Sequence, residues 1–303
     1  MKKILSIDGG GIRGIIPAST LVKLEQQTNR PVRECFDFVA GTSTGGLITA
    51  AIAAGVPATR ILAIYSERSN EIFTPPQPLA DVKRGIDGYM YDPANIQKVL
   101  VSEFGAAATW TINDSPVKIL ITAKGVNRHP WYFVQDNPKN AQTTGKLPLV
   151  DCAVSSASAP TYFKPWNIPQ IGWLFDGGAG TTANPVYEAC VEAFYYDTFV
   201  PEETLVVSLG TGYFPGTNDP PNGLLATITW ATTSLIDSGE GQQLEIVRRH
   251  IPCNLQRFNW LLPKDISEAD TGAIPQLLTV GQQAAAQMNW PWILGDSEQS
   301  ASS

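Results

Sequence analysis

Three glycine clusters, each directly behind a short apolar run, constrain this chain more than any other feature. They are IDGGGIRG (Ile7–Gly14), VAGTSTGG (Val39–Gly46) and FDGGAG (Phe175–Gly180). Glycine weakens any element it occupies, so each cluster needs a local reason. Either the backbone turns sharply with positive φ, or something comes very close to the main-chain N–H groups. Both reasons fit a loop that joins a strand to a helix and holds an anion at the helix start. In an open α/β sheet such loops gather along the edge where the strands end, and ligands bind there. The pattern predicts that Asp8–Gly14, Gly41–Gly46 and Asp176–Gly180 meet in space.

The rest of the chain supports an α/β reading with a parallel-rich sheet. Buried strands are expected at Lys3–Ile7, Phe36–Ala40, Val117–Ala123, Trp131–Val134, over GWLFD ending at Asp176, and at Leu205–Gly210. Helices are expected at Ile15–Thr28, Leu47–Ala54, Pro57–Ser69, Asn95–Phe104, Leu149–Ala157 and Val186–Tyr196. FTPPQPLADVKRGIDGYMYD reads as a surface excursion, and the chain beyond Tyr213 as loop and helix with Trp230, Trp260, Trp290 and Trp292. No repeat, linker or composition step divides the 303 residues, so one domain over 1–303 is expected.

Charge excludes some partners. Charged residues are 16% of the chain and the net charge is −7, which argues against nucleic acid and against recruitment to anionic lipid by charge. Four cysteines, Cys35, Cys152, Cys190 and Cys253, stand far apart with no C-x-x-C, so neither a zinc site nor a disulfide framework is indicated. The apolar run behind Lys2 and Lys3 breaks at Asp8, too early for a signal peptide. No run approaches the ~20 apolar residues of a membrane span. A soluble, cytoplasmic protein is the expectation.

GTSTG (Gly41–Gly45) matches G-x-S-x-G, in which a serine sits on a tight strand-to-helix turn with its hydroxyl projecting outward. The plainer reading is a turn with a capping Ser or Thr; the flanking strand and apolar helix favour a nucleophile, Ser43. A serine nucleophile needs a base and an oxyanion hole. The sequence holds only two histidines, His129 and His250. His129 reads as a surface residue at a strand entrance. His250 follows Asp176 as a Ser–Asp–His triad requires, but only about two strands precede Ser43, where that fold has several. Asp176 is the other candidate base: a carboxylate at a strand end whose burial would raise its pKa toward the working range. A turn-initiating aspartate is an equally common use of D-G-G. Gly10 and Gly11 offer N–H groups that a substrate can approach, and Arg13 either supports that loop or lies on the surface.

Together, DGGGIRG (Asp8–Gly14), GTSTGG (Gly41–Gly46) and DGG (Asp176–Gly178) resemble, in order and spacing, the three signatures of patatin-like phospholipases. SSASAPTYFKP (Ser155–Pro165) is similar to that family's stretch ahead of the aspartate. The resemblance covers Ile4 to about Gly212, and beyond it DISEADTGAIPQLLTVGQ is faintly similar to the family's closing helix. It implies a three-layer α/β/α sandwich with a mostly parallel central sheet. It implies a catalytic dyad of Ser43 and Asp176 without histidine, and an oxyanion hole from Gly10 and Gly11 with Arg13 nearby. Asp8, Gly9, Gly14, Gly41, Gly45, Gly177 and Gly178 are then supports of the motifs. The implied chemistry is acyl-ester hydrolysis of lipids (phospholipase A, lysophospholipase or carboxylesterase), with no metal or organic cofactor and with a membrane or micelle as transient partner. Residues 213–295 are expected to form a divergent, helical, lid-like part, and 296–303 a disordered tail.

Rival readings are weaker. A dinucleotide fingerprint through Gly9, Gly11 and Gly14 lacks the acidic residue at the next strand end, and a Walker loop lacks its Lys-Ser/Thr. An actin-like sugar kinase would use Asp8-Gly-Gly-Gly and SLGTG (Ser208–Gly212) as phosphate loops, but it has no use for GTSTG. A non-catalytic storage or binding protein on the same scaffold is the remaining alternative.

Overall fold

The computed structural model describes residues 1–74, 89–139, 143–215 and 241–296, with positions 220, 222, 223 and 227. The expected tail at 296–303 except Asp296, most of the Pro-rich excursion and Trp230 lie outside these residues.

Among the described residues eight strands form one mixed sheet: β1 (Lys2–Ile7), β2 (Phe38–Thr42), β3 (Lys118–Gly125), β4 (Pro130–Val134), β5 (Trp166–Ile168), β6 (Gly172–Asp176), β7 (Thr204–Leu209) and β8 (Asn254–Phe258). Their order is β5-β6-β3-β2-β1-β7-β8, with β4 also pairing β3. The run β3-β2-β1-β7-β8 is parallel, while β4, β5 and β6 pair antiparallel. β2 begins two residues later than the apolar run suggests. The cause is Asp37, whose carboxylate accepts the Lys3 amide at 2.8 Å and binds Lys2 Nζ, which ends the entry loop there. β8 lies inside the stretch expected to be loop and helix, and it closes the parallel edge.

Alternation along the strands assigns the two faces. Leu5, Ile7, Val39, Ile119, Ile121 and Val207 join the larger core, under the helices Ile15–Thr28, Thr44–Ala54, Ala58–Ser66, Ala94–Phe104, Leu149–Ser156 and Ile274–Gln287. Ile4, Phe38, Ala40, Leu120 and Val206 face the other way, under the helix Val186–Val191 and residues 241–250. With both faces covered the central strands are buried throughout, which is why they read as continuous apolar runs. The result is the expected α/β/α sandwich. The helix Ile274–Gln287 approaches Ile15–Thr28 so closely that a Cβ on Gly281 would lie 2.5 Å from Ser19 Oγ. This contact ties the C-terminal part to the first helix of the sheet.

Candidate active site

β2 ends at Thr42, Ser43 turns the corner, and the helix Thr44–Ala54 starts at the next residue. The corner puts Ser43 at φ 56°, ψ −122°, which an L side chain adopts only under constraint. Two close approaches supply that constraint. A Cβ on Gly41 would lie 2.0 Å from the Gly45 carbonyl oxygen, and one on Gly45 2.1 Å from that of Ile7. Glycine on both sides of the serine is therefore a packing requirement. The Ser43 amide donates to Ser156 Oγ at 2.9 Å, which holds the corner from the neighbouring helix.

Strand register delivers the second group. β2 pairs with β3 up to Thr122, and β6 takes over at Ala123. β4 covers Leu120–Lys124, overlapping both, so β2 and β6 share the opposite edge of β3 and meet end to end. Asp176, the last residue of β6, thereby comes beside Ser43, whose hydroxyl acts to lower the pKa of its carboxyl. Asp176 is 4% exposed and accepts a bond from the Gly178 amide at 2.7 Å. Burial pushes its carboxyl up to about 7, against the pull of the Ser43 and Gly178 hydrogen bonds, while the Glu268 charge adds to the push. The Asp176 amide donates to the Ser158 carbonyl at 3.0 Å. One segment, Ser156–Ser158, thus holds both partners. Behind them Thr42 Oγ1 and Thr122 Oγ1 lie 2.7 Å apart, and Thr182 Oγ1 donates to the Gly177 carbonyl at 2.7 Å.

The first glycine cluster lies against the serine, since a Cβ on Gly9 would sit 3.2 Å from Ser43 Cβ. Gly10 and Gly11 take φ 146° and 55°. The flanking amides are occupied: Gly9 donates to the Ala183 carbonyl at 2.9 Å and Ile12 to the Glu268 carbonyl at 2.8 Å. Between them the Gly10 and Gly11 amides have no acceptor among the described residues. The loop is held from beneath. Thr211 Oγ1 donates to the Gly9 carbonyl at 2.6 Å, and Asp8 is buried against the Arg257 guanidinium, which also donates to Ser208 Oγ at 2.9 Å. Burial pushes the Asp8 carboxyl up, against the opposing pull of Arg257. Arg13 caps the loop through Nε to the Gly10 carbonyl at 3.3 Å and Nη2 to Glu268 Oε1 at 3.2 Å.

An apolar cavity lies against Ser43 and Gly11, between the elbow helix and the 58–72 segment. Leu47, Ile64, Ile72, Phe73, Ile96 and Phe163 line it. Phe73, Tyr91 and Phe163 form an aromatic cluster with centroids 5.3–5.9 Å apart. Tyr65 is pinned at its hydroxyl by Thr44 Oγ1 at 2.6 Å.

The three clusters meet as the spacing predicts. The histidines do not join them: His129 is exposed and edge-on to Trp131, His250 is exposed, and neither bonds Ser43 or Asp176 among the described residues. Trp290 is fully buried against Phe36, and Trp292, 65% exposed, lies near it at the opposite end of the sheet from Ser43. The sequence reading missed Ser156, Thr211, Arg257 and Glu268. Ser156 stood inside SSASAP, and Glu268 inside DISEADTG, which precedes the helix Ile274–Gln287. Arg257 carried no signal, because a lone arginine in NLQRF has no visible partner until β8 is laid beside β7.

The family model for patatin-like phospholipases matches residues 5–190. Patatin-17 of Solanum cardiophyllum is 32% identical over 208 residues, which is 61% of this chain and 51% of that protein. A cGAMP-activated phospholipase of Escherichia coli (strain TW11681) is 26% identical over 200 residues, covering 63% of this chain and 56% of that protein. The chain therefore spans about half the length of these curated relatives. Among solved structures, VipD from Legionella pneumophila shares the fold at TM-score 0.50 and 12% identity, over 97% of this chain and 67% of that one. The matched span holds all three glycine clusters, the elbow serine and the buried aspartate, and the chain belongs to the patatin-like phospholipase family.

Proposed function

We propose that this protein hydrolyses lipid carboxylic esters through Ser43 and Asp176 alone. The observation that carries this reading is the strained Ser43 corner set at the meeting point of β2 and β6 beside the buried Asp176 carboxylate, which burial pushes up to about 7. Ser43 Oγ attacks the ester carbonyl carbon while its proton passes to Asp176. The carbonyl oxygen becomes an oxyanion, met by the Gly10 and Gly11 amides, with the N-terminus of the helix Thr44–Ala54 adding its dipole. Collapse of this intermediate breaks the C–O bond, and the leaving alkoxide takes the proton from Asp176. Water, deprotonated by Asp176, then attacks the acyl-serine carbonyl; collapse breaks the acyl–Oγ bond, Ser43 Oγ takes the proton back from Asp176, and the acid is released. The apolar cavity below Ser43 receives the acyl chain, and the alcohol leaves toward solvent.

The kinase reading fits poorly, because Asp8 is 1% exposed and turned into Arg257 rather than toward an open phosphate site. The test is incubation of the purified protein with phospholipid vesicles and mass spectrometry of the products. Free fatty acid release by the wild type and none by Ser43→Ala supports the reading. No release from phospholipids, lysophospholipids or soluble esters by well-folded wild type leaves a non-catalytic protein on this scaffold.

A further inference from the structure

Glu268 reaches the site from the far end of the chain, and nothing in the three glycine clusters points to it. Its backbone and side chain do different work. The carbonyl accepts the Ile12 amide at 2.8 Å, and a Cβ on Gly11 would lie 2.2 Å from that same oxygen. The segment therefore presses directly on the loop that presents the Gly10 and Gly11 amides. The carboxylate meets Arg13 Nη2 at 3.2 Å, and Arg13 in turn holds the Gly10 carbonyl through Nε at 3.3 Å. Both Glu268 and Ser43 line the mouth of the apolar cavity. Tyr162, which also lines the cavity, meets the Ser267 hydroxyl next to Glu268 at 3.2 Å.

We infer that Glu268 is a positioning residue of the hydrolytic site, holding Arg13 and the glycine loop in register with Ser43 and placing its own carboxylate in the pocket that Ser43 lines. This rests on the hydrolase reading above. Two physical effects are separable. The reach of the carboxylate fixes Arg13, and a loop displaced by even 1 Å costs up to about 10²-fold in turnover. The charge acts on Asp176, because a like charge disfavours ionisation. The groups facing Asp176 are Ser43 from the elbow, the Gly178 amide from its own loop and Glu268 from the C-terminal segment. Lys124 of β3 lies beside the same loop at Gly180, and Arg13 stands behind Glu268. Removing the Glu268 charge also leaves Arg13 less neutralised, so both changes favour the Asp176 carboxylate.

The test compares Glu268→Gln and Glu268→Asp with wild type, measuring kcat and kcat/KM for a soluble ester against pH, with folding followed by circular dichroism. Glu268→Gln keeps the shape and removes the charge. It is expected to move the acid limb of kcat/KM to lower pH. Glu268→Asp keeps the charge and shortens the reach. It is expected to lower kcat about tenfold with the acid limb in place. Profiles of both folded variants that superimpose on wild type overturn the inference, as does a loss of kcat in both with no movement of the limb in Glu268→Gln. Failure of the hydrolase reading looks different: wild type and Ser43→Ala are then equally inert, and a ¹³C-detected Asp176 titration that fails to fall to lower pH in Glu268→Gln still refutes the electrostatic claim.

Discussion

At Ser43 the chain carries strain at the corner that sets its hydroxyl against the cavity. A serine at φ 56°, ψ −122° carries about 1–3 kcal/mol of backbone strain, which glycine would not feel. Ser43→Gly is expected to be about 1 kcal/mol more stable than Ser43→Ala by denaturant unfolding, with both inactive on esters. Equal stability of the two variants would remove the strain argument. Asp176 carries the complementary cost. Its pKa is raised to about 7, so between the ordinary carboxylate range and that value the folded state keeps a proton the unfolded state has lost. Stability contributed at low pH is therefore lost as pH rises through that window. Asp176→Asn escapes this loss. It is expected to be more stable than wild type at pH 8, by up to about 4 kcal/mol, with the gap closing near pH 4, while turnover falls by several orders of magnitude. Thermal unfolding of both proteins across pH checks the sign.

The elements that place these two residues differ in how visible they were. Strand ends followed by glycines were legible because close approach leaves a composition signature. Gly41, Gly45 and Gly177 each face a neighbouring atom at 2.0–2.1 Å from where a Cβ would stand. The head-on meeting of β2 and β6 was not legible, because it depends on β4 covering the other edge of β3, a register no local pattern encodes. β8 was missed for a similar reason. Its residues are only half buried, so they lack the continuous apolar run of a central strand, and its pairing with β7 is set by the long return of the chain. Yet β8 carries Arg257, the partner of buried Asp8. Arg257→Ala leaves that carboxylate uncompensated beneath the glycine loop. The expected cost is about 3 kcal/mol of stability, with a fall in kcat larger than any change in KM. A variant with wild-type melting temperature and kcat would show that the pair does not support the loop.

Across the whole molecule, the ends of β1, β2, β6 and the approach of Glu268 put every group of the site at one edge of the sheet, with the apolar cavity opening there. Exposed Tyr213, Phe214 and Leu261 follow β7 and β8 at this same edge, whereas Trp292 lies at the other. With a net charge of −7 the chain has little reason to seek anionic lipid. Hydrolysis of dispersed zwitterionic phospholipid is expected to be insensitive to added salt and unaffected by Trp292→Ala. A steep fall between low and physiological salt would contradict apolar engagement. The central claim, a serine activated by a carboxylate with no imidazole, is tested most directly by the pH dependence of Ser43 acylation. The pre-steady-state burst with a p-nitrophenyl ester would be followed in wild type and in a folded variant carrying both His129→Ala and His250→Ala. In both proteins the acylation rate is expected to rise through a single ionisation near pH 7 to the same plateau. Loss of the burst in the histidine-free variant, down to the level of Ser43→Ala, would contradict it.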